Sequence, residues 1–243
     1  MTTMIKAVFY ITLPITNVNI LRERLFEMPL PRREFQQACR FLSNLSTVPL
    51  AKYFQNKYTV EKEIATMLNP SRPFNGKTPV VGQRTYLDST SVIIGNVTLG
   101  DDCSVWPMVT IRGDVNTITV GDRTNIQDGS VLHVTHAGGE HPQGIPLIIG
   151  NDVTVGHKVL LHACTIGNHC LIGMGSIVMD GVIIEENVLL GAGSLVSPGK
   201  TLKSGYLYLG NPAKKIRPLS DKEKQFFQYS ARHYVRLKDQ YMK

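Results

Sequence analysis

The sequence has few aromatic residues and few cysteines. Phe, Trp and Tyr make up 7% of its 243 residues, with a single tryptophan. Glycine is plentiful at 21 residues, so we expect a turn-rich fold with a core of small aliphatic side chains. No Cys-x-x-Cys pair is present, which argues against a disulfide framework and favours buried thiols in a reducing, cytoplasmic compartment. The cysteines are Cys39, Cys103, Cys164 and Cys170.

Long apolar runs and concentrated positive charge are also missing. The longest apolar stretch, 7–21, is interrupted by Pro14, Asn17 and Asn19, and it is too short and too polar to span a bilayer. No small-residue cleavage site follows it, so we expect neither a membrane segment nor a signal peptide. The net charge of +7 comprises +4 in residues 1–66 and only +3 in the other 177 residues. Those 177 residues contain no basic run, so the sequence does not predict nucleic-acid binding.

A six-residue repeat is the dominant pattern. An aliphatic residue recurs every sixth position from Leu99 onward, and most are followed four residues later by a small or β-branched residue such as Val115. This period fits neither a helix of 3.6 residues per turn nor ordinary hairpins. The aliphatic positions are Leu99, Val105, Ile111, Val120, Ile126, Leu132, Ile149, Val155, Leu161, Ile166, Ile172, Val178, Ile184, Leu190 and Val196.

Such a repeat predicts a mainly β fold, a parallel β-helix of hexapeptide repeats. Three hexads make one triangular coil, so equivalent residues of successive coils stack about 4.8 Å apart. One irregularity is large: about eleven extra residues follow Leu132 and form a loop over 134–147. A long excursion from a regular solenoid usually marks a functional edge.

The two ends of the chain do not share the repeat. Ser220 and Glu223 form a capping-box pattern, so we expect a C-terminal helix over 219–243 that packs on the β-helix. Its aromatic residues, among them Phe226 and Tyr241, recur at helical spacing and are interpreted as packing residues. We expect the β-helix domain to span 67–218. Residues 1–66 look partly helical and are interpreted as an N-terminal extension outside the core domain.

The register of the repeat places two histidines on one face. His133 follows Leu132 and His162 follows Leu161, so both side chains point outward. Three hexads separate these two aliphatic positions, which is one full coil. The two histidines therefore stack, and we expect them to be close enough to share a metal ion. The same count puts Arg112 one coil below His133.

A third histidine lies on the adjacent face. His157 comes two positions after Val155 and cannot converge with the other pair within one chain. Gln127 and Asp128 fall one coil below Gly156 and His157. A homotrimer would bring this face of one subunit against the paired histidines of its neighbour. Three imidazoles would then surround one ion and leave a position for water, as in catalytic zinc sites.

Four segments carry a resemblance to a known family. IRGD (111–114), TNIQDGSVLH (124–133), TVGHKVLLH (154–162) and GNPAKKIR (210–217) resemble the γ-class carbonic anhydrase family, and most of all its bacterial YrdA-type members. The similarity extends from about Phe74 to the C-terminus and implies a left-handed β-helix. The pattern H…GHxxxxH is specific, whereas the repeat and GNPAKKIR are shared with acyltransferases.

The resemblance implies a role for individual residues. It makes His133, His157 and His162 the metal ligands, with zinc, or alternatively ferrous iron, as the ion. Arg112 and Asp114 match a pair that bridges subunits near the site. The resemblance further implies that Gln127 and Asp128 line the site, and that the reaction is the reversible hydration of CO₂ to bicarbonate by metal-activated water.

One departure from the family pattern leaves other functions open. Archetypal members of the family carry a carboxylate directly after the bridging Asp, and acidic residues in the loop near the first ligand, for proton transfer. Here Val115 takes the first position, and the loop offers Glu140 with His136 and His141. A CoA-dependent acyltransferase or thioesterase with a histidine general base is one alternative. A non-catalytic metal-binding trimer is another.

Overall fold

The computed structural model describes residues 69–243. The predicted extension over 1–66 and its boundary at residue 67 therefore lie outside the described residues. Twenty strands and one helix, α1 (Asp221–Tyr241), make up the described part. The first ten strands are β1 (Ser71–Arg72), β2 (Val80–Val81), β3 (Tyr86–Leu87), β4 (Val92–Leu99), β5 (Ser104–Val105), β6 (Thr110–Val120), β7 (Asn125–Ile126), β8 (Val131–His133), β9 (Leu147–Ile149) and β10 (Thr154–Val155). The other ten are β11 (Leu160–His162), β12 (Thr165–Ile166), β13 (Leu171–Ile172), β14 (Ile177–Val178), β15 (Ile183–Ile184), β16 (Leu189–Leu190), β17 (Leu195–Val196), β18 (Thr201–Leu202), β19 (Tyr206–Leu209) and β20 (Lys214–Pro218).

The strands wind into a parallel β-helix of about eight turns, which confirms the predicted fold class. The coils contribute strands to three faces, and every strand except β20 pairs in parallel with a strand of a neighbouring coil. We name these faces by their strands. The histidine face contains β8, β11, β14 and β17, the helix face contains β5, β7, β10, β13 and β16, and the third face contains β9, β12, β15 and β18. The last strand, β20, runs antiparallel to β19 and ends the solenoid.

The core is the stacked interior of these coils. All fifteen aliphatic positions of the repeat are buried, with relative exposures of 0–2%. The solenoid extends beyond the predicted repeat at both ends, since Ile93 precedes it and Leu202 and Tyr208 follow it as further core residues. Val115, one of the small or β-branched positions, lies in β6 and is 46% exposed.

Glycines followed by Asp or Asn build one corner of the coil. A Cβ atom on Gly121 would lie 2.3 Å from Asn151 Oδ1 of the next coil, and one on Gly100 would lie 2.4 Å from Asp122 Oδ1. These oxygens hydrogen-bond to the backbone of the preceding coil. Asn151 Oδ1, for example, accepts a 2.7 Å hydrogen bond from the Asp122 backbone N–H. Only glycine leaves room for this close approach of successive coils.

The C-terminal helix α1 begins with the predicted capping box. Ser220 is the N-cap, its side chain accepts a hydrogen bond from the Glu223 N–H, and the Glu223 carboxylate accepts one from the Ser220 N–H at 2.8 Å. Arg217 donates two further hydrogen bonds of 2.8 Å to that carboxylate. The hydrogen bonds from Arg217 have the largest effect, and together with that from the Ser220 N–H they lower the pKa of the Glu223 carboxyl to about 2.

The helix lies along the helix face of the solenoid, against β3, β5 and β10. Its buried residues include Phe227 and Ser230, whereas Phe226 and Tyr241 are half or more exposed. The interpretation of the helix aromatics as packing residues is therefore only partly right. Lys238 is fully buried, and its Nζ lies 3.1 Å from Asp102 Oδ1.

Over residues 69–243, no helix has the length and apolar character needed to cross a membrane.

We expect Glu223→Gln to destabilise the docked helix by about 0.5–1 kcal/mol at pH 7, because the ion pair with Arg217 is lost, whereas glutamine can keep the hydrogen bond to the Ser220 N–H. The folded-state pKa of Glu223 is depressed to about 2 from 4.5. Its contribution is therefore complete above pH 4.5 and is lost as the pH falls towards 2. Urea unfolding of both proteins at pH 7, 4 and 3 measures this, with Glu186→Gln as the control for charge. A difference that stays constant over this range would contradict the assignment.

A second prediction concerns the polar contact between helix and solenoid. Thr154 Oγ1 lies 2.9 Å from Ser230 Oγ in α1 and accepts a 3.0 Å hydrogen bond from Asn125 Nδ2. Thr154→Val keeps the shape but leaves two buried polar groups without this partner, so we expect a loss of about 1–3 kcal/mol in the free energy of unfolding. Thr154→Ser should retain most of the stability. Equal stability of the Val and Ser variants would show that the contact contributes nothing.

Candidate metal centre

Two histidines stand next to each other on the histidine face. Leu161 and His162 pair in register with Leu132 and His133, as the six-residue count predicts. His133 Nδ1 lies 3.1 Å from His162 Nε2, and the ring centroids are 5.1 Å apart. Two nitrogens bound to one tetrahedral zinc ion at about 2.05 Å lie about 3.3 Å apart. The observed spacing therefore suits a shared ion.

Each of these rings is held on its other side by a carboxylate. His133 Nε2 lies 3.1 Å from Asp114 Oδ1, and His162 Nδ1 lies 3.0 Å from Asp180 Oδ2. An ionised carboxylate only accepts hydrogen bonds, so the N–H of each neutral ring points towards it. The two nitrogens that face each other then both carry lone pairs. Only a proton or a metal cation between them can satisfy both.

Arg112 completes the lower end of this array. It lies one coil below His133, and its Nη1 is 2.5 Å from Asp114 Oδ2. Burial alone would raise the pKa of Asp114, but the hydrogen bonds from Arg112 and His133 outweigh burial and place this pKa below its usual value. Burial lowers the pKa of His133, although Asp114 opposes the shift. A neutral histidine beside an ionised carboxylate is the state that metal binding requires.

His157, the third predicted ligand, lies two residues after β10, at the end of a strand of the helix face. Its Nδ1 is 2.9 Å from Asp128 Oδ2, which leaves Nε2 as the nitrogen free for a ligand role. The side chain is 47% exposed. Within a single chain, no three such donor side chains of residues 69–243 form a metal site. The structure therefore brings together His133 and His162 with their carboxylates, but it does not bring His157 to them.

Gln127 is held by a buried chain of polar groups. It is 5% exposed, and its Nε2 donates a 3.0 Å hydrogen bond to Asn125 Oδ1. Asn125 in turn donates to Thr154, which contacts Ser230 of α1. Since the amide nitrogen of Gln127 is engaged in this way, its orientation is fixed from the helix face.

A groove of about 470 Å³ lies between α1 and the helix face, with Gln127 at its lower end. Its lining is mainly apolar and aromatic. Tyr234 stands close enough to Asp128 that burial, together with the charge of this carboxylate, raises the pKa of Tyr234. The lining residues are Gln127, Thr154, Gly156, Leu171, Ile172, Gly173, Met174, Leu189, Leu190, Gly191, Ala192, Phe226, Tyr229, Ser230, His233 and Tyr234.

The loop over 134–147 starts directly after His133 and folds back as a short hairpin. Thr135 pairs with Ile145, and Gly138 pairs with His141. Thr135 Oγ1 also donates a 2.5 Å hydrogen bond to Asp180 Oδ1. The base of the loop is thus attached to the same carboxylate that holds His162. Burial would raise the pKa of Asp180, but the hydrogen bonds from Thr135 and His162 keep it below its usual value.

Three residues of the site do not appear among the sequence predictions: Asp180, Asn125 and Tyr234. A signal for Asp180 was present, because it lies eighteen residues after His162 and therefore one coil above it. Asn125 could have been found as the outward neighbour of Ile126 on the strand that leads to Gln127. No signal in the sequence places Tyr234, since its position depends on how α1 docks.

The donor set fits a zinc ion. Three neutral imidazoles are suitable ligands, and the hydrogen bond of a second ring nitrogen to a carboxylate is the usual support for a zinc-bound histidine. Each of the three predicted ligands has such a carboxylate: Asp114 for His133, Asp128 for His157 and Asp180 for His162.

Comparison with known proteins gives consistent results. The family described as "Bacterial transferase hexapeptide (six repeats)" matches residues 78–113 and 163–198. Protein YrdA of Escherichia coli K12 is 61% identical over 171 residues, which cover 70% of this chain and 93% of that protein. A carbonic anhydrase of Geobacillus kaustophilus is 42% identical, covering 70% of this chain and 90% of the relative.

A solved structure agrees with the sequence comparison. The crystal structure of a hexapeptide transferase family protein from Anaplasma phagocytophilum is 42% identical, with a TM-score of 0.65 over 70% of this chain and 97% of the other. Identity at this level over nearly the whole length of each relative exceeds what a shared solenoid alone requires. The chain belongs to the γ-class carbonic anhydrase-like family of hexapeptide-repeat proteins.

Proposed function

We propose that the chain forms a homotrimer that binds one zinc ion at each subunit interface and catalyses the reversible hydration of CO₂. His133 and His162 of one subunit and His157 of the next would hold the ion. The observation that supports this most strongly is that each of the three rings has one nitrogen hydrogen-bonded to a carboxylate and the other nitrogen available.

The proposed trimer has a threefold axis parallel to the solenoid. Such a rotation brings together residues at equal heights, and His157 and His162 belong to the same coil. The histidine face also exposes an apolar column next to the histidines. Val131, Leu160 and Ile177 are 37–40% exposed there, in successive coils. A neighbouring helix face, with its apolar groove above Gly156, would cover this column.

The bound ion would supply Lewis acidity that makes water a usable nucleophile near pH 7. The side chains of this protein position the reactants around it. Gln127, with its amide nitrogen engaged by Asn125, presents its carbonyl end as a hydrogen-bond acceptor. Arg112 pairs with Asp114 and keeps positive charge beside the histidines, where it favours the bicarbonate anion. His136 and His141 of the loop are the residues proposed to carry protons to solvent.

The proposal includes a reducing, cytoplasmic location. Cys103, Cys164 and Cys170 are free and buried, and burial raises the pKa of each thiol, of Cys103 to about 11. Thiols of this kind are structural and unreactive.

Metal analysis and CO₂ hydration by the purified full-length chain test the proposal. We expect one zinc per subunit, and loss of both zinc and hydration in His157→Ala and in His162→Ala. The two variants can complement each other when unfolded, mixed in equal amounts and refolded. Each mixed trimer regains one intact site of three, so random mixing restores about one quarter of the wild-type activity.

The complementation experiment separates a shared site from a site within one chain. A site built within one subunit would give no recovery in the mixture. Zinc binding without hydration by the wild type would leave the metal-binding trimer as the function. A wild type that binds no divalent metal would remove the proposal.

A second candidate is transfer or hydrolysis of an acyl group on a CoA thioester. It is supported by the transferase description of the family and by the groove of about 470 Å³, which is far larger than CO₂ requires. His233 of the groove lining is the available general base in this candidate. Release of free thiol from acetyl-CoA, lost in His233→Ala but kept in His157→Ala, would favour this function over hydration.

A further inference from the structure

One carboxylate connects the inserted loop with a proposed metal ligand. Asp180 Oδ2 lies 3.0 Å from His162 Nδ1, and Asp180 Oδ1 accepts a 2.5 Å hydrogen bond from Thr135 Oγ1. His162 and Thr135 stand on different coils and belong to segments 27 residues apart, and no direct hydrogen bond joins their side chains. Asp180 reaches both of them from the coil above.

Thr135 is not a free loop residue. Its N–H donates to the Ile145 carbonyl at 3.0 Å, and its own carbonyl accepts a 3.1 Å hydrogen bond from Asn116 Nδ2. The same Asn116 amide donates to the Gln143 carbonyl at 3.1 Å. Both strands of the loop base are therefore tied to the solenoid, and the hydroxyl of Thr135 has a fixed position from which to reach Asp180.

His162 depends on Asp180 for its tautomer. A carboxylate at Nδ1 keeps the proton on that nitrogen, so Nε2 presents its lone pair towards His133. The His162 side chain is about one-third exposed, so packing alone does not determine its orientation. The Asp180 carboxylate in turn accepts the hydrogen bond from Thr135 with its other oxygen.

We infer that Asp180 is a positioning residue that couples the base of the inserted loop to His162, so that loosening Thr135 weakens metal binding without touching a ligand. This inference rests on the proposed function in that His162 is taken as a zinc ligand. A carboxylate behind a zinc-bound histidine typically changes metal affinity by about 10–100-fold. The coupling makes part of that effect dependent on a residue of the loop.

The test compares zinc affinity, measured by competition with a chelator at fixed pH, across a matched set of full-length variants. Asp180→Asn should bind zinc about tenfold more weakly, because an amide oxygen is a poorer acceptor for the His162 N–H. Thr135→Val should weaken zinc binding about threefold through loss of one hydrogen bond to the carboxylate. Thr135→Ser, which keeps the hydroxyl, should restore it. Thr201→Val, on the third face, is the control and should bind like the wild type.

A second readout does not need the metal. The ¹⁵N chemical shifts of the His162 ring in metal-free protein report which nitrogen carries the proton. We expect a single Nδ1–H tautomer in the wild type and in Thr135→Ser, and a mixture of tautomers in Asp180→Asn and Thr135→Val. Thermal unfolding of each variant identifies any that lose the fold.

The outcomes are distinguishable. Wild-type affinity and an unchanged tautomer in Asp180→Asn would overturn the inference and leave the proposed function intact. Weak binding in Asp180→Asn but wild-type behaviour in Thr135→Val would also overturn it, because the loop would then have no part. Should the wild type bind no zinc, the proposed function fails, and the tautomer measurement alone decides whether Asp180 couples Thr135 to His162.

Discussion

The stacking of one coil on the next is the constraint on which the rest of this structure depends. Parallel strands hydrogen-bond at a spacing of about 4.8 Å, so any two residues at equivalent positions are held at that distance. The pairing of Leu132 with Leu161 therefore determines the separation of His133 and His162. Neither histidine needs a local motif to find the other. The buried aliphatic column carries the register, and the outward side chains follow from it.

Charge is distributed around the histidines so that their lone pairs are available. Asp114 and Asp180 stand at the two outer ends of the pair, and each accepts the N–H of one ring. Arg112 compensates one of these carboxylates. Two ring nitrogens 3.1 Å apart that both carry lone pairs would repel each other without a cation between them. This arrangement supports the proposal that an ion binds between the rings.

Most of the fold could be predicted from the sequence, because a six-residue period indicates a parallel β-helix and its aliphatic positions resume after each irregularity of spacing. The histidine pair followed from counting hexads. The capping box of α1 could also be predicted, because it involves two residues, Ser220 and Glu223, that are only three positions apart. The contact of Thr154 with Ser230 links residues 76 apart through helix docking, which no periodicity encodes.

The loop over 134–147 is attached only at its base, by Asn116 and Asp180, whereas Gly138, Gly139 and Glu140 at its tip are exposed. His133 and His162 remain adjacent although 29 residues separate them along the chain. Evolution can therefore lengthen, shorten or recompose the tip while the neighbouring coils keep their spacing. Homologues with the same pair of histidines would be free to differ in the loop beside that pair, and so in which molecules can approach it.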